Sequence, residues 1–411
     1  DKATMERFSS TEAGDNVDNW ETWGSYFDFI KNGLDADGTE INGTPGARNS
    51  LSYLINKGED ILSDLTLSAD EGLYIVTDSI SVSASSTLSI EPGVVIQFDS
   101  DAELEILGQI RAEGTADDTV VFESLDESEQ DGEISLEGGV GTSTLQYVRV
   151  QNTKGIALTD GARLEVSDSE FVNNEKGLEL DNGSVAIVDN TSFATTTENA
   201  IAAYDGSAVT LRSVSITDTL ENDAIEIDES YLSMSSTTVD GVYDGDGVSA
   251  YDSNVTITNS VAKNVFDGDG IGAYDSTITI ASSTVNNIYD GSGIGVYDSV
   301  ATITNSNVEN VSDDSLGLYD SSTTVTDTTV QNGEGDGIAV YGGTATVSGG
   351  EVSGFADGTG ILVDSPTMPV VISNTEVSGN EVGISADSAG SVSIAPDVSV
   401  HDNGENVVVE P

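Results

Sequence analysis

Carboxylates and phenols recur along this chain at intervals that would align them in space. Tyr251, Tyr274, Tyr297, Tyr319 and Tyr341 follow one another every 22 or 23 residues, and the first four are each followed by Asp. The acidic beat runs through Glu137, Asp160, Asp181, Asp205, Asp228, Asp252, Asp275, Asp298, Asp320, Asp364 and Asp387, with Gly342 in one slot. A second acidic series lies among glycines: Asp244 and Asp246, Asp267 and Asp269, Asp290, Asp313 and Asp314, Asp336, Asp357. Stacked copies would put these carboxylates about 5 Å apart, where they repel unless a cation bridges them. Calcium accepts six to eight oxygens in irregular geometry. Asp244, Asp246, Asp267, Asp269 and Asp290 are therefore candidate calcium ligands, against the plainer reading of a solvated turn. The five tyrosines form a candidate strip for gripping a glycan or another partner. The competing reading has each ring turning at a corner and packing on its neighbours.

A fixed period of this size belongs to a solenoid. Within one period, Val255-Thr256-Ile257-Thr258 alternates with period two, so Val255 and Ile257 point inward. Val261 to Val265 gives a second short strand. Asp267-Gly268-Asp269-Gly270 is a turn, and Ile271-Gly272-Ala273-Tyr274 a third strand, with Gly272 and Tyr274 read as outward. Three strands and three corners per period make an all-β, three-sided parallel β-helix of 22 to 23 residues per rung. Ile257 should stack on Ile280, Ile303, Val325 and Val347. About 14 rungs at 4.8 Å would give a rod on the order of 70 Å. Asn264, Asn287, Asn310 and Asn332 should form an inward amide ladder at one corner. The Asp after each Tyr should cap backbone N–H groups at another.

The bulk numbers narrow the partners. The chain has 411 residues, 73 acidic against 12 Lys plus Arg, and a net charge of −61. Beyond Arg212 only Lys263 and His401 can carry positive charge. Such a surface repels nucleic acid and anionic membranes and favours divalent cations, basic partners or a salty medium. There is no cysteine, hence no disulfide framework. No apolar run is long enough to span a bilayer and no signal peptide is seen, so the chain reads as a mature or excised portion.

Two stretches carry resemblances. Ala3-Thr4-Met5-Glu6-Arg7, Asp18-Asn19-Trp20 and Gly43-Thr44-Pro45-Gly46-Ala47-Arg48-Asn49-Ser50 resemble the closing third of a bacterial lamin-tail domain, an immunoglobulin-like sandwich. That resemblance implies surface attachment or assembly. Glu91-Pro92-Gly93-Val94-Val95-Ile96-Gln97-Phe98 resembles the entry rungs of secreted right-handed parallel β-helices. Phe171-Val172-Asn173-Asn174-Glu175-Lys176-Gly177-Leu178 and Val377-Ser378-Gly379-Asn380-Glu381-Val382-Gly383-Ile384 look like the repeat of the pectate-lyase-like superfamily. The expected organisation is a lamin-tail-like portion at 1–50, a connector and cap at 51–80 with a short helix from Leu51 to Leu67, and a β-helix at 81–411.

The superfamily contains enzymes, adhesins and structural proteins, so fold leaves function open. Its enzymes use a basic group or clustered acids. None of the six arginines falls within 213–400, and the family's hydrolase signatures, Asn-x-Asp followed by Gly-His-Gly and Arg-x-Lys, are absent. The expectation is therefore a non-catalytic secreted or cell-surface structural protein of a prokaryote, a surface-layer or filament subunit that self-associates and is stabilised by calcium. A glycan-binding adhesin using the tyrosine strip comes second, and a polysaccharide lyase or hydrolase third.

Overall fold

The computed structural model describes residues 60–410 apart from 70–72, 127 and 140, together with the backbone of three short strands nearer the N-terminus. The chain divides into two units, Asp1–Asn174 and Glu175–Pro411. Among the described residues from 60 onward, strands joined by turns form parallel ladders in each unit.

In the first unit, Leu65–Leu67 pairs with Thr87–Ile90, which pairs with Gln109–Glu113, and that with Ser143–Gln146. A second sheet runs from Tyr53–Leu54 through Tyr74–Val76, Val95–Phe98, Val120–Ser124 and Val148–Gln151 to Glu170–Val172. A third runs from Ile80–Val82 through Glu103–Ile106 and Glu133–Glu137 to Gly155–Thr159. Solenoid strands thus begin well before residue 81. The stretch expected to be a helix instead holds strands Tyr53–Leu54 and Leu65–Leu67. Its apolar spacing serves a strand, because Leu67 is buried over Ile90. Of the lamin-tail-like stretch, the described residues include only Met5–Arg7 and Trp20–Thr22, an antiparallel pair. The rest of that expectation lies outside the described residues.

The second unit repeats one turn. Asn254–Thr258 lies on the first face, Val261–Val265 on the second and Ile271–Tyr274 on the third. Each pairs in register with its counterpart a turn later: Ile257 with Ile280, Ala262 with Val285, Ala273 with Val296. The expected column Ile257, Ile280, Ile303, Val325 and Val347 is continuous and at most 2% exposed. Burying each such side chain contributes about 1.5–3 kcal/mol. A turn buries few of them, so only stacked turns complete the core.

The corners explain the polar columns. In this turn Asp252, Asn259 and Asn264 have φ of 47°, 50° and 57°. Asp275, Ser282 and Asn287 repeat this one turn on, then Asp298, Asn305 and Asn310, then Asp320, Asp327 and Asn332. Left-handed backbone penalises Cβ-branched residues, whereas Asn, Asp and Gly tolerate it. Where the chain next uses Gly342, Gly349 and Gly354, all three sites are again at positive φ. The Asp after each Tyr is thus a left-handed corner residue. The asparagine ladder forms, with Asn287 Nδ2 donating to Asn264 Oδ1 at 3.1 Å and Asn310 Nδ2 to Asn287 Oδ1 at 3.3 Å. It lies at the surface, however, with Asn310 exposed. The left-handed residue of the corner bulges out of the pairing register, so its side chain cannot point into the core.

Candidate functional site

In the second unit the acidic corner meets the third face in a buried polar grouping. Asp246 and Asp269 are 8% and 6% exposed, while Asp244, Asp267 and Asp290 are exposed. The five candidate calcium ligands therefore split into two sets. The buried ones cap the next turn: Asp269 N donates to Asp246 Oδ1 at 2.7 Å, and Ser292 N to Asp269 Oδ1 at 2.7 Å. The ladder starts with Asp246 N donating to Asp223 Oδ1 at 2.6 Å. It resumes at Asp314 and Asp336, which accept from Asp336 N at 3.2 Å and Thr359 N at 2.6 Å.

The second oxygen of each buried carboxylate meets a tyrosine. Tyr274 Oη donates to Asp246 Oδ2 at 3.4 Å, Tyr297 Oη to Asp269 Oδ2 at 3.2 Å and Tyr319 Oη to Asp314 Oδ2 at 3.3 Å. Ser249 takes this role toward Asp223, and Tyr204 donates to Glu226 at 2.8 Å. The rings of Tyr251, Tyr274, Tyr297, Tyr319 and Tyr341 stack with centroids 4.8 to 5.0 Å apart and planes within 12°. The tyrosines are thus brought together as expected, but as a packed ladder with its hydroxyls turned inward.

The glycines beneath them are not an open floor. A Cβ on Gly272 would lie 2.5 Å from Asp246 Oδ2 and 2.9 Å from Tyr274 Cε2. On Gly295 it would land on Asp269 Oδ2 and lie 2.7 Å from Tyr297 Cε2. Period-two counting reads these glycines as outward; both are buried, because the phenol two residues on folds back over them.

Burial sets the electrostatics. It pushes the Asp246 carboxyl up to about 8, with repulsion from Asp269 and Asp223 adding to desolvation. Asp269 and Asp314 are each pushed up to about 6, again chiefly by burial. Desolvation and the adjoining carboxylates drive the phenols up too, Tyr297 to about 12. These carboxyls hold protons into the neutral range, which is the affinity general acid–base chemistry needs. Their oxygens, however, face N–H and O–H donors of the same chain.

Nor do they form a cation cage. Among the described residues, no three carboxylates or imidazoles converge as metal ligands. Calcium needs six to eight oxygens, and the buried pair has spent its own on backbone and phenol donors. The residues present do not fit a caged calcium ion.

Two further features are absent from the candidate set. Ser207, Ser230, Ser253, Ser276 and Ser299 are buried, and each hydroxyl accepts from the backbone N–H of the preceding turn at 2.7 to 3.2 Å. The triplets Tyr251-Asp252-Ser253, Tyr274-Asp275-Ser276 and Tyr297-Asp298-Ser299 carried that signal. Tyr243, Phe266 and Tyr289 form a second stack, with centroids 5.0 and 4.9 Å apart, and are 46%, 41% and 54% exposed. Their 23-residue spacing was legible, but Phe266 hides the column from a search for tyrosines.

Among the described residues, no helix is long and apolar enough to cross a membrane. The chain is similar over 92 residues, at 37% identity, to the protein bark beetle of Drosophila melanogaster, covering 22% of this chain and 3% of that protein. It therefore spans a small fraction of the curated relative it matches. Among solved structures, the periplasmic alginate epimerase AlgG aligns over 72% of this chain and 77% of its own at 12% identity, with a TM-score of 0.44. The Vag8–C1 inhibitor complex aligns over 82% and 78% at 13% identity, with a TM-score of 0.45. The receptor-binding protein of bacteriophage Det7, a tailspike, aligns over 85% and 73% at 11% identity, with a TM-score of 0.33. The model of the right-handed β-helix region matches residues 134–291 and 292–409. With parallel ladders on three faces and that match over more than half its length, the chain belongs to the right-handed β-helix family.

Proposed function

We propose that this chain is a non-catalytic structural element of an extracellular or cell-surface assembly, a stiff acidic spacer that self-associates into an array or filament. The observation that supports this is where the repeat spends its polar groups. Serine, aspartate, asparagine and tyrosine ladders run from turn to turn through the middle of the second unit, so these turns are bound to one another beyond their backbone pairing. Ladders of this kind resist bending and local opening, because breaking one turn orphans buried partners on two others. Divalent cations act on this reading through the exposed Asp244, Asp267 and Asp290, by screening a surface of net charge −61.

Sedimentation and negative-stain microscopy across protein and calcium concentration test this. Ordered end-to-end or lateral particles are the expected result. A monomer at all concentrations that releases unsaturated or reducing sugars from polyuronates would overturn it. The glycan-binding reading is weakened by one observation: the five-tyrosine ladder turns its ring faces toward one another and its hydroxyls toward Asp246, Asp269 and Asp314.

A further inference from the structure

The second aromatic column ends in an unfilled place. By backbone pairing it runs Leu220, Tyr243, Phe266, Tyr289, Ser312, each N–H donating to the turn before. Leu220 occupies the column position one turn before Tyr243. Phe266, with a ring on either side, is the least exposed ring at 41%. Tyr289 is the most exposed at 54%, because the next residue in the column has no ring to lay over it. Ser312 stands there instead, a small side chain whose hydroxyl is buried and without a hydrogen-bond partner. The exposed carboxylates of Asp290 and Asp313 follow Tyr289 and Ser312 directly in sequence.

The geometry points to an arginine side chain of a basic protein partner as the next plank of this stack, lying on the free face of Tyr289 above Ser312. Three properties of the place select that chemistry. A planar guanidinium stacks on an aromatic face, which a compact ammonium does less well. Asp290 and Asp313 supply carboxylates that the guanidinium fork can engage. Among the described residues no ion pair of this chain engages Asp290 or Asp313, and Lys263 is held 3.0 Å from Asp240. A run of sugars would need a row of free ring faces, and here the inner faces of Tyr243, Phe266 and Tyr289 cover one another. Anionic partners meet a surface of the wrong sign.

The test titrates the full chain with the capped tripeptides Gly-Arg-Gly, Gly-Lys-Gly and Gly-citrulline-Gly at physiological ionic strength. Binding is read from the side-chain resonances of the peptide in every variant and, where Tyr289 is present, also from its ring resonances, assigned with Tyr289→Phe. The arginine peptide should bind roughly two- to fivefold tighter than the lysine peptide, and the citrulline peptide weakest. Ser312→Tyr should remove the preference by extending the stack into the slot, without lowering the thermal midpoint. Tyr289→Ala, should Ser312→Tyr fail to fold, must remove it as well. Equal binding of arginine and lysine peptides, unchanged by either substitution, would mean diffuse attraction to an acidic surface and would overturn the assignment. Displacement of the arginine peptide by neutral cellohexaose would overturn it in favour of a glycan.

Discussion

Mild acid should stabilise this protein, and Asp246 is the residue that shows it. Its carboxyl is 8% exposed, and burial together with the charges of Asp269 and Asp223 raises its pKa from 3.8 to about 8. An acid whose pKa is raised on folding binds more protons folded than unfolded between those two values. Its contribution is complete below about pH 4 and is lost as pH rises through about 8. Each pH unit between the unfolded and folded values corresponds to about 1.4 kcal/mol, so the ceiling for this group is roughly 6 kcal/mol. Asp269 and Asp314, raised to about 6, add losses of the same sign between about pH 4 and 6. The perturbation is Asp246→Asn, which keeps the Oδ1 acceptor for Asp269 N and cannot ionise. Thermal or urea midpoints of both proteins would be measured from pH 4 to 9 at fixed ionic strength. The variant should be more stable than the parent at pH 8, by on the order of 1–3 kcal/mol after relaxation of the neighbouring carboxylates. The two should converge near pH 4. Subtracting the variant removes the general repulsion of the acidic surface, which both share. A parent-minus-variant difference that is flat with pH, or a variant weaker at pH 8, would refute the reasoning.

Other outcomes follow from single contacts. Gly295→Ala drives a methyl into Asp269 Oδ2 and Tyr297 and should cost about 1–3 kcal/mol in a denaturation experiment. Ser276→Ala leaves the buried N–H of Ser253 without its acceptor at 2.9 Å, which should cost about 1–3 kcal/mol. Asn287→Gly should be near neutral, whereas Asn287→Val, at φ 58°, should lose at least about 1 kcal/mol by the same assay. Calcium should raise the melting temperature no more than magnesium at equal concentration, since the acidic corner builds no cage. A calcium-specific rise of many degrees would contradict that.

The fold was legible because a solenoid writes its geometry as a period. Ile257, Ile280 and Ile303 had to stack once the 23-residue beat was recognised, and alternation in each strand set which side chains face inward. What the beat could not tell was the backbone conformation at the corners. Asn264 and Asn287 look like an inward ladder until their left-handed φ turns them to the surface. The stretch expected as a helix holds strands at Tyr53–Leu54 and Leu65–Leu67 for a related reason. Short apolar runs such as that around Leu65 satisfy helix and strand alike, and only pairing with Leu88 decides between them.

The sequence by itself determined the repeat, the three-faced parallel architecture, the apolar columns and the acidic, cation-poor surface, because each depends on residue type at fixed spacing. Only the tertiary structure decided which acids are exposed and which are buried. Asp267 and Asp269 are two residues apart and chemically identical. One meets solvent; the other meets Ser292 N and Tyr297 Oη contributed by the next turn. Burial and hydrogen-bond partners arrive from residues more than 20 positions away, and no local pattern records them.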